Sequence, residues 1–189
     1  MRWGCCILVA CALTACGARA VEPDAPGLPV MRWDAKPQAA VWTDATLNAL
    51  SSHGAVLATL EPEDIDTWCP AYRDAGRARR QAFWAGVISA LAWHESRHQP
   101  EASGGGGRWI GLMQIDPRTA GGFDCAAQSP DALKNGPANL ACAVRIAAGQ
   151  VPKRGSVRRG LRDWAPMHSD EKTAEMAAWT RTQPYCGGP

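Results

Sequence analysis

Apolar positions recur along this chain at three- and four-residue spacing, while the alternation expected of half-buried strands is scarce. The clearest run is Arg80 to about Arg97, where Trp84, Ile88, Leu91 and Glu95 share one helical face and Pro100 ends the pattern. Upstream, Thr43 reads as an N-cap ahead of Leu47, Leu50, Leu57 and Leu60, with Gly54 marking a break or bend. Glu61 to Asp66 is an acidic turn or helix start. Downstream, Asp116-Pro117 places a cap before a proline at the first helical position. A further helix starts at Pro137 with Leu140, Val144 and Ala147 on one face, and a last one spans about Asp170 to Thr182 around Met176 and Trp179. No internal repeat is visible. The pattern predicts a mainly α fold with a single helical domain over residues 41–189.

The N-terminus is patterned differently. Arg2 precedes an uncharged, mostly apolar run from Gly4 to Ala15, shorter than the ~18 residues of a membrane span, so residues 1–15 read as an export signal. It ends Leu13-Thr14-Ala15-Cys16, which resembles the lipobox of bacterial lipoproteins. That resemblance implies acylation of Cys16, a membrane partner through the lipid, and a position on the periplasmic face of a membrane, the outer membrane by expectation. Residues 16–40, with Pro23, Pro26, Pro29 and Pro37 and no periodicity, read as a linker reaching away from that anchor.

Export changes the meaning of the cysteines. Cys5, Cys6 and Cys11 fall in the signal and Cys16 carries the lipid, which leaves Cys69, Cys125, Cys142 and Cys186 for two disulfides and three connectivities. The expected pairing is Cys125–Cys142, stapling a loop to the next helix, with Cys69–Cys186 tying the start of the domain to its end. No CxxC or CxxH spacing suggests a cysteine zinc site. With 20 basic against 18 acidic residues, bulk charge gives no reason to expect a nucleic-acid partner. The nine tryptophans suit a carbohydrate groove or a packed core equally well.

Glu95 is the candidate catalyst. It continues a buried stripe at the C-terminal end of a helix, where apolar neighbours and the negative end of the helix dipole both favour its protonated form. A carboxyl group kept protonated near neutral pH can donate to a glycosidic oxygen. The usual glycosidase needs a second carboxylate. Asp116 is better explained as a cap, and Glu101 and Asp124 sit in loops without context, so the substrate itself must supply the nucleophile. His94-Glu95-Ser96-Arg97-His98 also matches the H-E-x-x-H pattern of zinc proteases. Its extension fails at Glu101 and Pro100 ends the helix at once, so neither a metal nor any other cofactor is expected, and surface roles are assigned to His94 and His98.

These residues resemble the bacterial lytic transglycosylases, whose catalytic domain is related to goose-type lysozyme. The matching pieces are Glu95-Ser96 at a helix end, the small-residue loop Ser103 to Gly107, Gly111-Leu112-Met113-Gln114-Ile115, Asn139-Leu140 with Cys142, and Trp164 followed by the last helix and Pro184-Tyr185-Cys186. The resemblance covers about Cys69 to Cys186 and implies a lysozyme-like domain. It also implies cleavage of the β-1,4 bond between N-acetylmuramic acid and N-acetylglucosamine in peptidoglycan, with 1,6-anhydro ends. On that reading Glu95 is acid and then base, Ser96 hydrogen-bonds and orients it, and Met113 and Gln114 border the sugar subsites. Trp109 and Trp164 are groove candidates able to stack on sugar. The family usually carries a late Tyr-Asn pair with its hydroxyl near the glutamate; here the position reads Asp163-Trp164-Ala165.

Three alternatives carry different consequences. A lysozyme-type hydrolase would leave reducing ends, a zinc metalloprotease would lose activity to chelator, and a glycan-binding scaffold would retain sacculi without cutting them. The basic stretch holding Arg145, Lys153, Arg154, Arg158, Arg159 and Arg162 reads as a solvated face. Glycan strands are the expected partner, with an envelope-spanning assembly as a further one.

Overall fold

In the computed structural model, which describes Met1 and residues 27–188, eight α-helices follow one another with a single small hairpin among the described residues. The order is α1 (Ala39–Ser51), a 3-10 turn (Ala55–Thr59), α2 (Ile65–Trp68), α3 (Arg77–Ser96), β1 (Ser103–Gly104), β2 (Trp109–Ile110) and α4 (Pro117–Gly122). Then come α5 (Pro130–Leu133), α6 (Gly136–Arg154), α7 (Val157–Gly160), a 3-10 turn (Ala165–His168), α8 (Asp170–Arg181) and a last 3-10 turn (Pro184–Cys186). Cys16, with the rest of residues 2–26 of the expected signal and linker, lies outside the described residues.

Helix α3 is the axis of the fold. Every residue from Ala82 to Ala92 is buried, so the expected one-sided stripe is in fact a helix enclosed all round. Small residues make that enclosure tight: a Cβ on Gly86 would lie 2.1 Å from the Tyr185 hydroxyl. Helices α1, α6 and α8 pack around it. Most of the tryptophans chose the core: Trp33, Trp42, Trp68, Trp84 and Trp164 are all buried, and Trp109 is the one large aromatic left exposed among the described residues.

Two expectations at the N-terminal side need correction. The linker does not run to residue 40, because Met31 and Trp33 are buried and the Arg32 amide donates to Ser89 Oγ on α3 at 3.0 Å. The prolines there break periodicity without preventing the segment from packing as a strap. Thr43 is not a cap either. It lies one turn inside α1, donates to the Ala39 carbonyl at 2.9 Å and accepts from the Trp33 indole at 2.9 Å. Burying that indole requires a partner, and a hydroxyl on the facing helix provides it.

Other boundaries follow the sequence. The α1 helix breaks at Gly54, where a Cβ would meet Val144 on α6 at 2.3 Å. Asp116 caps α4 by accepting from the Arg118 amide, and Asn135 and Ser169 do the same for α6 and α8. Both expected disulfides are present. Cys69–Cys186 closes a separation of 117 residues and Cys125–Cys142 one of 17. The basic stretch is a solvated, ion-paired face, with Arg154 on Asp163, Arg158 on Asp170 and Arg159 on Glu63.

Candidate active site

Glu95 occupies the last turn of α3, and the chain turns away immediately beyond Ser96. Arg97 and His98 both take positive φ, 55° and 57°, which stops the helix before Pro100 is reached. The Glu95 side chain is largely buried, and its Oε1 has no hydrogen-bond partner. Burial pushes its pKa up to about 7, opposed only by the positive charge of Lys172 on α8. The group therefore exchanges its proton near neutral pH, as an acid/base catalyst requires.

The Gly111–Ile115 segment lies directly against this helix end. Ser96 Oγ donates to the Leu112 carbonyl at 2.9 Å and stands 3.2 Å from the Ala92 carbonyl, while accepting from the Gln99 amide at 3.3 Å. Ser96 thus makes no hydrogen bond to Glu95, contrary to expectation. It fastens the segment to α3 instead. Gly111 sits at φ 80°, and a Cβ there would lie 2.3 Å from the Leu133 carbonyl and 2.4 Å from Asn139 Nδ2, so only glycine fits.

Asn139, on α6, is the hub of the segment. Its Oδ1 accepts from the Met113 amide at 2.8 Å, and its Nδ2 donates to the Ile110 and Leu133 carbonyls at 3.0 and 2.9 Å. The sequence signals it only through the family pattern, as part of the Asn139-Leu140 match in the first turn of α6.

Three candidate groove residues do not stand as expected. Met113 is fully buried, so it does not border a groove openly. Trp164 is 6% exposed, with its indole donating to the Met113 carbonyl at 2.9 Å. A ring held there supports the segment from below and has no free face for a sugar. Gln114, at φ 46°, turns its Nε2 inward to the Gly111 and Ala102 carbonyls at 2.9 and 3.2 Å. Its donors hold the turn together, which leaves its carbonyl oxygen against Gly104.

Trp109 is the groove candidate that remains open, at 44% exposure. It is displayed by the β1–β2 hairpin, whose glycines let the strand lie under its ring: a Cβ on Gly105 would come within 2.4 Å of it. The hairpin is braced at its far end by Asp116, which accepts from Arg108 Nε at 2.7 Å and Arg118 Nη2 at 3.1 Å. Those two guanidiniums, Arg118 foremost, hold the Asp116 carboxyl well below the ordinary carboxylate range.

The two histidines of the H-E-x-x-H stretch are neither surface groups nor a ligand pair. His94 Nε2 meets Glu175 on α8 at 2.8 Å. His98 is buried between Trp33 and Trp93, with its Nε2 on the Ser89 carbonyl at 2.8 Å, and burial lowers its pKa. Because the helix ends between them, they do not share a face. The chain's tyrosines do not stand in for the family's hydroxyl. Tyr72 Oη donates to the Leu57 carbonyl at 3.1 Å and Tyr185 Oη to the Val30 carbonyl at 3.2 Å.

Residues 75–156 match the Transglycosylase SLT domain family. No curated protein matches the chain in sequence. Among solved structures, a glutamate-to-glutamine mutant of Bd0314 DslA superposes with a TM-score of 0.77 at 23% identity, covering 85% of this chain and 99% of that one. Its wild-type form 2 covers the same shares at 23% identity with a TM-score of 0.74. At that identity the likeness speaks for the fold, and the family match speaks for the stretch that contains Glu95, Ser96, the hairpin and Asn139. Over residues 75–156 the chain thus matches the transglycosylase SLT domain, within a mainly α, lysozyme-like fold that it shares with these structures.

Proposed function

We propose that this protein is a peptidoglycan lytic transglycosylase in which Glu95 is the sole catalytic carboxylate. The observation that carries the reading is the Glu95 carboxyl itself: buried at a helix end, with an unpartnered oxygen, and titrating at about 7. The protonated group would give its proton to the glycosidic oxygen between N-acetylmuramic acid and N-acetylglucosamine as the bond from the muramoyl C1 breaks. The carboxylate left behind would then take the proton of the muramoyl C6 hydroxyl while O6 bonds to C1, closing a 1,6-anhydro ring without consuming water. One group serves both transfers, and its titration near neutrality suits it to each.

The lack of a second acid supports this route over hydrolysis. Among the described residues no other carboxylate bears on Glu95. Asp116 is tied up by Arg108 and Arg118, and Glu101 lines a different groove with Gln38, Trp42 and Pro137. We further propose that Trp109 stacks on the glycan, that glycan strands are the working partner, and that Cys16 anchors the domain to a membrane in the periplasm.

Mass spectrometry of muropeptides released from purified sacculi tests the reading. Wild type should release anhydro-muropeptides and Glu95→Gln none. Reducing ends from wild type would make the protein a hydrolase, and equal release from both proteins would remove Glu95 from the catalytic role.

A further inference from the structure

Beyond Ser96 the chain makes two successive left-handed residues, Arg97 and His98, neither of them glycine. Such a conformation persists only where the surroundings fix it. Here the hold comes from outside the helix, from the strap around Trp33. The Trp33 ring meets the His98 imidazole edge-on, 6.0 Å between centroids, and the Trp93 ring lies 5.5 Å from the same imidazole. His98 is bonded through Nε2 to the Ser89 carbonyl at 2.8 Å, and the Oγ of that serine accepts from the Arg32 amide. Arg32 and Arg97 both lie over the Trp93 ring, 5.5 and 4.6 Å from its centroid. The Arg32 guanidinium also reaches α8. Its Nη1 and Nη2 bind Glu175 Oε2 and Oε1 at 2.8 and 2.5 Å, and Glu175 Oε2 meets His94 Nε2 at 2.8 Å. Trp93, His94 and His98 flank Glu95 in the chain, and the strap grips all three, directly or through Glu175.

We propose, resting on the acid and base role assigned to Glu95, that Arg32 and Trp33 are positioning residues: the strap holds the left-handed turn after Ser96 and so fixes where the Glu95 carboxyl points. With no donor on its Oε1, that carboxyl takes its aim from the backbone that carries it. Small displacements of a reacting group are costly to the rate. The Trp109 hairpin takes part in none of these contacts; it is braced by Asp116 instead. Loosening the strap therefore slows the chemistry and leaves glycan binding in place.

The test compares wild type with Arg32→Met, Arg32→Lys, Glu175→Met and the double variant Arg32→Met/Glu175→Met. Fragment release from sacculi gives kcat and KM, and amide hydrogen exchange is read by NMR without substrate. The amides to follow are Arg97, bonded to the Trp93 carbonyl, and Gln99, bonded to the Ser96 carbonyl. Arg32→Met and Glu175→Met should each speed exchange at these two amides and leave α6 as it was. Each should lower kcat roughly three- to tenfold with KM within about twofold. The double variant should lose little more than the worse single, because both residues act through one link. Arg32→Lys, which keeps a charge for Glu175, should recover part of the rate. Unchanged exchange at Arg97 and Gln99 in Arg32→Met overturns the inference, whatever the rate does. Faster exchange with an unchanged kcat, or exchange rising equally in α6, makes Arg32 a structural tie and overturns it as well. Losses that multiply in the double variant do the same. Exchange needs no turnover, so a wild-type protein that releases no fragments sinks the lyase reading alone and leaves the hold of the strap to be judged by NMR.

Discussion

The end of α3 and the start of α4 each present a carboxylate, and the two have opposite chemistry. Glu95 is buried with an oxygen that finds no donor, and titrates at about 7. Asp116 is shielded too, yet it caps a helix and accepts from two arginines, which keeps it charged far below neutrality. Shielding from water is common to both; the supply of donors differs. A carboxyl deprived of partners can exchange its proton near neutrality, and one surrounded by partners stays charged and clamps its neighbours. The clamp braces the hairpin that carries Trp109.

The largest effect that separates the two is on turnover. Glu95→Gln should lower fragment release by a factor on the order of a hundred to ten thousand, the usual contribution of general acid–base catalysis. Asp116→Asn should keep most of the activity, and comparable losses from both in the same release assay would erase the distinction.

Stability sharpens the comparison next, and here the sign depends on pH. Folded Glu95 titrates near 7, whereas the unfolded chain releases that proton near 4.5. Between those values the native state holds a proton that the unfolded state has lost, so stability falls as pH rises through this window. The penalty is complete above about 7. Glu95→Gln should therefore stabilise the protein at pH 8, by roughly 1–3 kcal/mol as an upper range, and leave it unchanged at pH 4. Chemical denaturation at the two pH values reads this directly.

Ser96→Ala should follow in size. Losing the hydroxyl strands the Leu112 carbonyl at a buried position and should destabilise by roughly 1–2 kcal/mol, with turnover falling only as the Gly111–Ile115 segment loosens. A full loss of turnover with an unchanged melting temperature would instead return Ser96 to direct service of Glu95. Asp116→Asn should have the smallest effect. Asparagine still caps α4, so the change removes mainly the charge that the two arginines read. A small drop in melting temperature, equal at pH 5 and pH 8, is expected, along with faster amide exchange in the hairpin. A drop at pH 8 alone would mean that Asp116 titrates in that interval, contrary to its environment.

Much of the architecture was readable residue by residue. The Arg80–Arg97 periodicity, the Gly54 break, the cap at Asp116 and both disulfides depend on local spacing or on counting, and each is present. Glu95 could be singled out because a charged residue ending an apolar stripe is anomalous at the level of one helix. Three misjudgements share a different origin. Thr43 inside α1, the packed strap around Trp33, and Trp164 beneath Met113 all depend on partners that only packing brings together, from the Trp33 indole on Thr43 to Ser89 on the strap and Met113 on Trp164.

Periodicity tells which face of a helix is apolar, and composition tells that an indole will seek burial. Neither says which neighbour will be there to receive its N–H, because that neighbour arrives only when the helices pack. The same holds for the chemistry. A run of letters was enough to nominate an acid, a glycine-bearing turn and a pair of crosslinks. That Asn139 ties the turn, and that Ser96 grips the backbone rather than the acid, emerged only in three dimensions. Hydrogen bonds and ion pairs between distant segments are set by helix register, and register is a property of the assembled core.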